Sequence, residues 1–137
     1  MRQVNPAEQS LRHLIYKFVK FSVVGLSGVG VNSGLLYVFF QLLRVPLVAA
    51  SAMSVEASIV SNFLLNTLWT FNDPSPSLHR FAKFNLVSLG GMLITVTTLQ
   101  SLVSLVGMHY QVANLIGIAL ATLWNFGLNL LWTWGWD

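Results

Sequence analysis

A chain of 137 residues that is 55% hydrophobic and only 8% charged lies far from soluble-domain usage, where about a quarter of residues carry charge. This balance excludes a water-soluble globular domain and points to a protein that folds in lipid. The net charge of +3 then reads as topology determinants and contacts for anionic lipid, so no nucleic-acid partner is implied, and the lack of cysteine excludes disulfides and Cys-based metal sites.

In chain order, residues 1–16 are polar and read as a cytoplasmic tail, either disordered or a short interfacial helix. The first membrane helix is expected over about 17–43. Its uncharged stretch, 21–43 ("FSVVGLSGVGVNSGLLYVFFQLL"), would extend about 35 Å as a helix, enough to cross a hydrocarbon core of ~30 Å. A secretory signal would instead have an apolar region of roughly 7–15 residues before its cleavage site, and the small-residue run "AASA" at 49–52 comes too late for that. "GLSGVGVNSG" at 25–34 superficially resembles a dinucleotide loop, but it lies inside the span and lacks both the strand and the glycine spacing. Gly30-x-x-x-Gly34, with Gly25 and Gly28 nearby, offers instead a groove for a neighbouring helix.

The break "RVP" at 44–46 leads to a second helix over about 46–71. Glu56 is the only acid within a predicted helix and lies near mid-bilayer, where an ionised carboxylate costs roughly 2.5 kcal/mol or more. Asn32 lies at similar depth in the first helix, so the two could hydrogen-bond and together mark an intramembrane polar path. The loop "NDPSPSLHR" at 72–80 has strong turn chemistry. A third helix over about 80–106, the break "GMHY" at 107–110 and a fourth helix over about 110–134 complete the chain. Arg2, Arg12, Lys17 and Lys20 precede the first helix, and Arg80 and Lys83 open the third. Only Arg44 lies on the other side, so both termini and the middle loop are expected to be cytoplasmic.

The fold class is therefore all-α, an integral membrane bundle of four transmembrane helices in a single domain over 17–137. A shift of 63 positions, without a gap, pairs 16–74 with 79–137, and sixteen of those 59 pairs are identical. "YKFVKF" at 16–21 lies over "HRFAKF" at 79–84, and "NFLLNTLWT" at 62–70 over "NFGLNLLWT" at 125–133. The chain reads as two tandem helical hairpins related as a parallel repeat. Ala50, Ser54, Ser58, Asn62 and Asn66 are spaced by four, as are Ala113, Gly117, Ala121, Asn125 and Asn129. Each set forms a ridge of small and amide side chains through which the second and fourth helices should pack, on each other or on the first and third.

Two readings of the polar residues compete. In the structural one, Asn62, Asn66, Asn125 and Asn129 hydrogen-bond neighbouring helices, contributing ~1 kcal/mol or less each, while Trp69 and Trp132 are interfacial anchors. In the functional one, Lys20 and Lys83 supply charge for a lipid phosphate, the amides supply directional bonds to phosphate or sugar hydroxyls, and the tryptophans supply flat apolar faces. Glu56 has its own structural alternative, a protonated acid paired to a neighbour. His13, His79 and His109 have no metal-ligand spacing, so no metal site is expected. No nucleophile with a base and no paired carboxylates occur, so neither an enzyme nor a cofactor is expected.

Phe-x-Lys-Phe before a Gly-rich first helix, followed by Asn-Phe-x-x-Asn-x-x-Trp-Thr-Phe closing the second, resembles the GtrA-like family of small bacterial membrane proteins, over essentially the whole chain from Tyr16. That resemblance implies a multi-pass protein of the bacterial inner membrane. It implies that the protein flips a polyprenyl-phosphate-linked sugar, such as undecaprenyl-phosphate glucose, for cell-surface polysaccharide modification, beside a glycosyltransferase partner. Two alternatives are a proton-coupled small-molecule exporter built around Glu56 and a non-transporting membrane partner of a glycosyltransferase. Four helices enclose little space for a sugar, so a homo-oligomer in contact with membrane lipids is expected.

Overall fold

A computed structural model describes residues 5–135, and among these the chain is helical with no strand. The helices are α1 (Pro6–Tyr37), α2 (Leu47–Leu65), α3 (Leu78–Val106) and α4 (Tyr110–Leu128). α1, α2 and α4 each run into a π turn, at Val38–Leu42, Asn66–Thr70 and Asn129–Thr133. With those turns the spans reach 37, 24, 29 and 24 residues, all long and apolar enough to cross a membrane.

α1 begins about three turns ahead of the expected start. The signal lies in the first polar residues. Asn5 caps the helix by accepting from the Ala7 amide at 3.1 Å, Pro6 occupies the first turn, and Glu8 pairs with Arg12 one turn on at 3.0 Å. Residues 6–16 are thus helical and continuous with the span. Ser77 caps α3 in the same way, accepting from the Arg80 amide at 3.2 Å.

The helices end alike. Arg44 (φ 56°), Asn72 (φ 50°), Gly107 (φ 72°) and Gly135 (φ 72°) take the left-handed conformation that reverses the chain after a helix. Long-reaching amide bonds close the turns before them, such as Val45 N–H to Phe39 O at 2.8 Å and Asp73 N–H to Thr67 O at 2.7 Å.

The chain divides into two compact units, residues 1–76 and 77–137. Each is an antiparallel helical hairpin, α1 on α2 and α3 on α4. In the first, Phe21, Val24 and Gly28 of α1 are buried against Ala50, Ser54, Ser58 and Phe63 of α2. In the second, Phe84, Val87 and Gly91 of α3 meet Ala113, Gly117, Ala121 and Phe126 of α4. The four-spaced ridges therefore pack on the helix preceding them in the chain.

The groove on α1 differs from the one expected. A methyl group at Gly28 would overlap the Asn62 amide, whereas nothing lies near Gly25, Gly30 or Gly34. Gly30 is about 200° around the helix from Gly28 and so faces away from α2. Gly91 is the matching position on α3, where an added methyl would come within 2.5 Å of Asn125 Oδ1. On the ridge of α4, a methyl at Gly117 would lie 2.9 Å from the Thr95 carbonyl oxygen. The outer faces are apolar: Leu26 is 72% exposed, Val48 83% and Leu105 83%, a surface for lipid rather than water.

Candidate functional site

Asn66 and Lys20 meet at the open end of the first hairpin and Asn129 and Lys83 at that of the second, where the π turns Asn66–Thr70 and Asn129–Thr133 lie. In the first hairpin Asn66 is buried, and its side-chain oxygen accepts from the Thr70 hydroxyl at 2.7 Å. Its backbone carbonyl accepts from the Phe71 amide at 2.8 Å, the five-residue step that widens the last turn. In the second, Asn129 accepts from the Thr133 hydroxyl at 2.6 Å and from the Trp134 amide at 3.0 Å. An amide four residues before a threonine thus closes each turn from inside, and the asparagine is spent on its own helix.

Helix termini leave carbonyls without intrahelical partners. At α2 the Trp69 carbonyl is met by Lys20 Nζ at 3.3 Å, and at α4 the Trp132 carbonyl by Lys83 Nζ at 3.3 Å. A cation at a helix C-terminus is also favoured by the helix dipole. Both ammoniums lie over indole rings, 5.1 Å from Trp69 and 5.3 Å from Trp132, and Lys20 also lies 4.5 Å from the Tyr16 ring. Each lysine is held by a carbonyl and an aromatic face. A carbonyl occupies one of the three donors on an ammonium, so the fixed charge has donors left for a phosphate.

The remaining expected residues fall in different places. Asn62 and Asn125 are half-buried, packed on Gly28 and Gly91, and their Oδ1 atoms have no hydrogen-bond partner. Asn129 Nδ2 is likewise buried and unpartnered. Trp69 and Trp132 are 45% and 47% exposed at the helix ends. Asn32 is half-buried on α1 at the depth of Ser58, which donates instead to the Gly28 carbonyl at 2.8 Å. Glu56 is exposed, on the far side of α2 from the buried ridge of Ala50, Ser54 and Ser58. Two residues along a helix is about 200° of rotation, which carries Glu56 away from α1 although the depth is right.

A cleft of about 560 Å³ opens beside Lys20, with walls from α1 (His13, Tyr16, Lys17) and from the end of α2 (Leu68, Trp69, Asn72). Lys17 Nζ lies 5.7 Å from the Phe71 ring. Sequence reasoning missed His13, Tyr16, Lys17 and Asn72 as cleft residues; it placed the helix start beyond His13 and Tyr16 and left Asn72 in the loop. It named Gly28 only as a neighbour of the Gly30–Gly34 groove and did not single out Gly91, although the two are one of the identical pairs of the repeat. Trp124, whose indole N–H donates to the Val87 carbonyl at 3.2 Å, has no counterpart in the first hairpin, where Ser61 occupies the matching position.

Four membrane-crossing helices in two hairpins, each closed by a lysine on a carbonyl of its partner helix, define a small multi-pass membrane protein. Residues 20–134 match the family described as GtrA/DPMS, transmembrane domain, and the chain belongs to that family. It is also 39% identical over 122 residues to a protein named dolichol-phosphate mannosyltransferase from Pyrococcus furiosus. That match takes in 88% of this chain but 34% of the relative, so the chain spans about a third of the curated relative's length.

Proposed function

We propose that the protein carries a polyprenyl-phosphate-linked monosaccharide, such as undecaprenyl-phosphate glucose, from the cytoplasmic to the outer leaflet of a bacterial inner membrane. The observation that supports this most directly is the matched pair of lysines, each immobilised on a helix-end carbonyl and an indole. A fixed ammonium at the headgroup level attracts a lipid phosphate, and an exposed indole beside it offers a face to a sugar ring. In this reading the termini and the 72–77 loop are cytoplasmic, and the loaded lipid arrives at Lys20 and Lys83 with its prenyl tail in the bilayer. Asn62 and Asn125, with unpartnered acceptor oxygens, are polar groups further inward that the headgroup meets on the way to Asn32 and Glu56 at mid-bilayer. Asn66 and Asn129 hold the turns that present the carbonyls. The chain acts without chemistry of its own, as a homo-oligomer that widens the path, beside the glycosyltransferase that loads the carrier.

Reconstitution into vesicles with defined polyprenyl-phosphate sugars and a leaflet-accessibility readout tests the proposal. Translocation should be present in the wild type and lost when Lys20 and Lys83 are both changed to alanine. Translocation unchanged in that double variant would overturn it. Glu56→Gln should slow transport if the carboxylate must ionise on the path.

The match to a mannosyltransferase-named protein favours a second reading, in which the chain anchors a glycosyltransferase at the membrane and moves nothing. Copurification with such an enzyme, together with no flipping in vesicles, would select it.

A further inference from the structure

α1 and its π turn form one unbroken span from Pro6 to Leu42, and Arg44 follows it in the turn to α2. The 24 positions from Lys20 to Arg44 amount to about 36 Å of helix, more than a hydrocarbon core of ~30 Å. Arg44 therefore stands at the membrane face opposite Lys20, whichever face is cytoplasmic. No other lysine or arginine occurs between Lys20 and Arg80 or after Lys83, so Arg44 is the cation of that face.

Two features mark it. Its backbone is left-handed, at φ 56°, where a Cβ crowds the following carbonyl. Asparagine visits that region more readily, as Asn72 does here, because its short side chain can bond locally; an arginine side chain offers no such relief. The turn does not require it. At the matching position of the second hairpin Gly107 holds the same conformation at φ 72°. Both turns are closed by an amide that reaches six residues back, Val45 to the Phe39 carbonyl at 2.8 Å and Met108 to the Leu102 carbonyl at 3.1 Å. Glycine at position 44 would close the turn without strain, so what arginine adds is its side chain. The second feature is that this side chain is exposed and unengaged. Arg12 pairs with Glu8, Lys17, Lys20 and Lys83 lie over aromatic rings, and Arg80 has interactions of its own. Among the described residues, Arg44 has no hydrogen bond, ion pair or ring contact.

A strained backbone that presents a free guanidinium points to a ligand outside the fold. At a membrane interface the available anion is a lipid phosphate, and a guanidinium can bind two of its oxygens at once, which an ammonium does not. We infer that Arg44 is the receiving contact for the carried lipid, binding its phosphodiester as the headgroup reaches the face opposite Lys20 and Lys83. Lysines tied to carbonyls and rings meet the phosphate on one face, and a free guanidinium takes it on the other. This deepens the proposed transport function and rests on it for the cargo.

The test is translocation of undecaprenyl-phosphate glucose by the full chain in vesicles of phosphatidylcholine alone, and again with phosphatidylglycerol added. Arg44→Gly should slow translocation by about ten-fold or more, the loss of a charge-assisted contact. It should unfold in detergent at no lower temperature than the wild type, because the turn is relieved. Arg44→Gln keeps the strain and loses the charge, and should fall as far; Arg44→Lys keeps the charge without the fork and should fall less. Removing the cation of that face strengthens the charge bias, so an inverted topology would not explain the loss. The loss should be the same in both kinds of vesicle. A loss seen only with phosphatidylglycerol would make Arg44 an anchor for bilayer lipid and overturn the inference, as would full transport in Arg44→Gln. Either result, with the wild type active, would leave the transport reading standing. Absence of translocation by the wild type would overturn both.

Discussion

At the scale of single residues, the positions that matter most are those where an amide has no room to spare. Gly28 and Gly91 let the Asn62 and Asn125 side chains lie on the backbone of the facing helix. Gly28→Ala or Gly91→Ala should lower stability by about 1–3 kcal/mol, as overpacking does, while Gly30→Ala should be silent because nothing lies near it. Thermal unfolding in detergent separates the two outcomes. Thr70→Val should remove the bond to Asn66 and leave a buried acceptor, costing about 1–3 kcal/mol, and Thr133→Val should do the same at Asn129. Identity at this scale was only partly legible. The Asn and Lys positions stood out as polar residues in an apolar chain, but which glycine meets a neighbour depends on helix rotation. Four glycines within ten residues of α1 are alike in composition and differ only in the face they occupy.

At the scale of elements, polar side chains and helix ends decide more than apolar periodicity does. The start of α1 is fixed by Asn5, Pro6 and the Glu8–Arg12 pair, signals that lie outside the apolar run by which a span is recognised. Asn5→Ala should cost about 1 kcal/mol and raise amide hydrogen exchange over the first turns of α1 while the span stays protected. Such fraying would also loosen the wall that His13 and Tyr16 give to the cleft. The four-spaced ridges of α2 and α4 were legible because small residues at a constant interval form one face whatever the helix packs on. Their partner was not, since a small ridge fits any helix with a matching groove. The π turns could not be read either. Two contain the Asn-x-x-x-Thr pattern, but the one at Val38–Leu42 closes without it, so the wider turn belongs to the way these helices reverse into a left-handed residue.

At the scale of the whole molecule, the distribution of charge implies a topology that labelling can check. The chain has no cysteine, so single cysteines report cleanly. Ser75→Cys should react with an impermeant thiol reagent only from the cytoplasmic side, and Met108→Cys only from the outside; the reverse pattern would invert the proposed direction of entry. The sequence by itself determined that four helices cross a membrane, that the polar residues gather at matched positions of two similar halves, and that the chain resembles one family. Each of these follows from composition, length or interval, which survive without knowledge of the fold. Only the tertiary structure decided that each small ridge packs on the preceding helix, that Glu56 turns away from Asn32, and that Lys20 and Lys83 each close the partner helix of their own hairpin. Those outcomes depend on how far each helix is rotated about its axis and where it ends, and side-chain packing sets both.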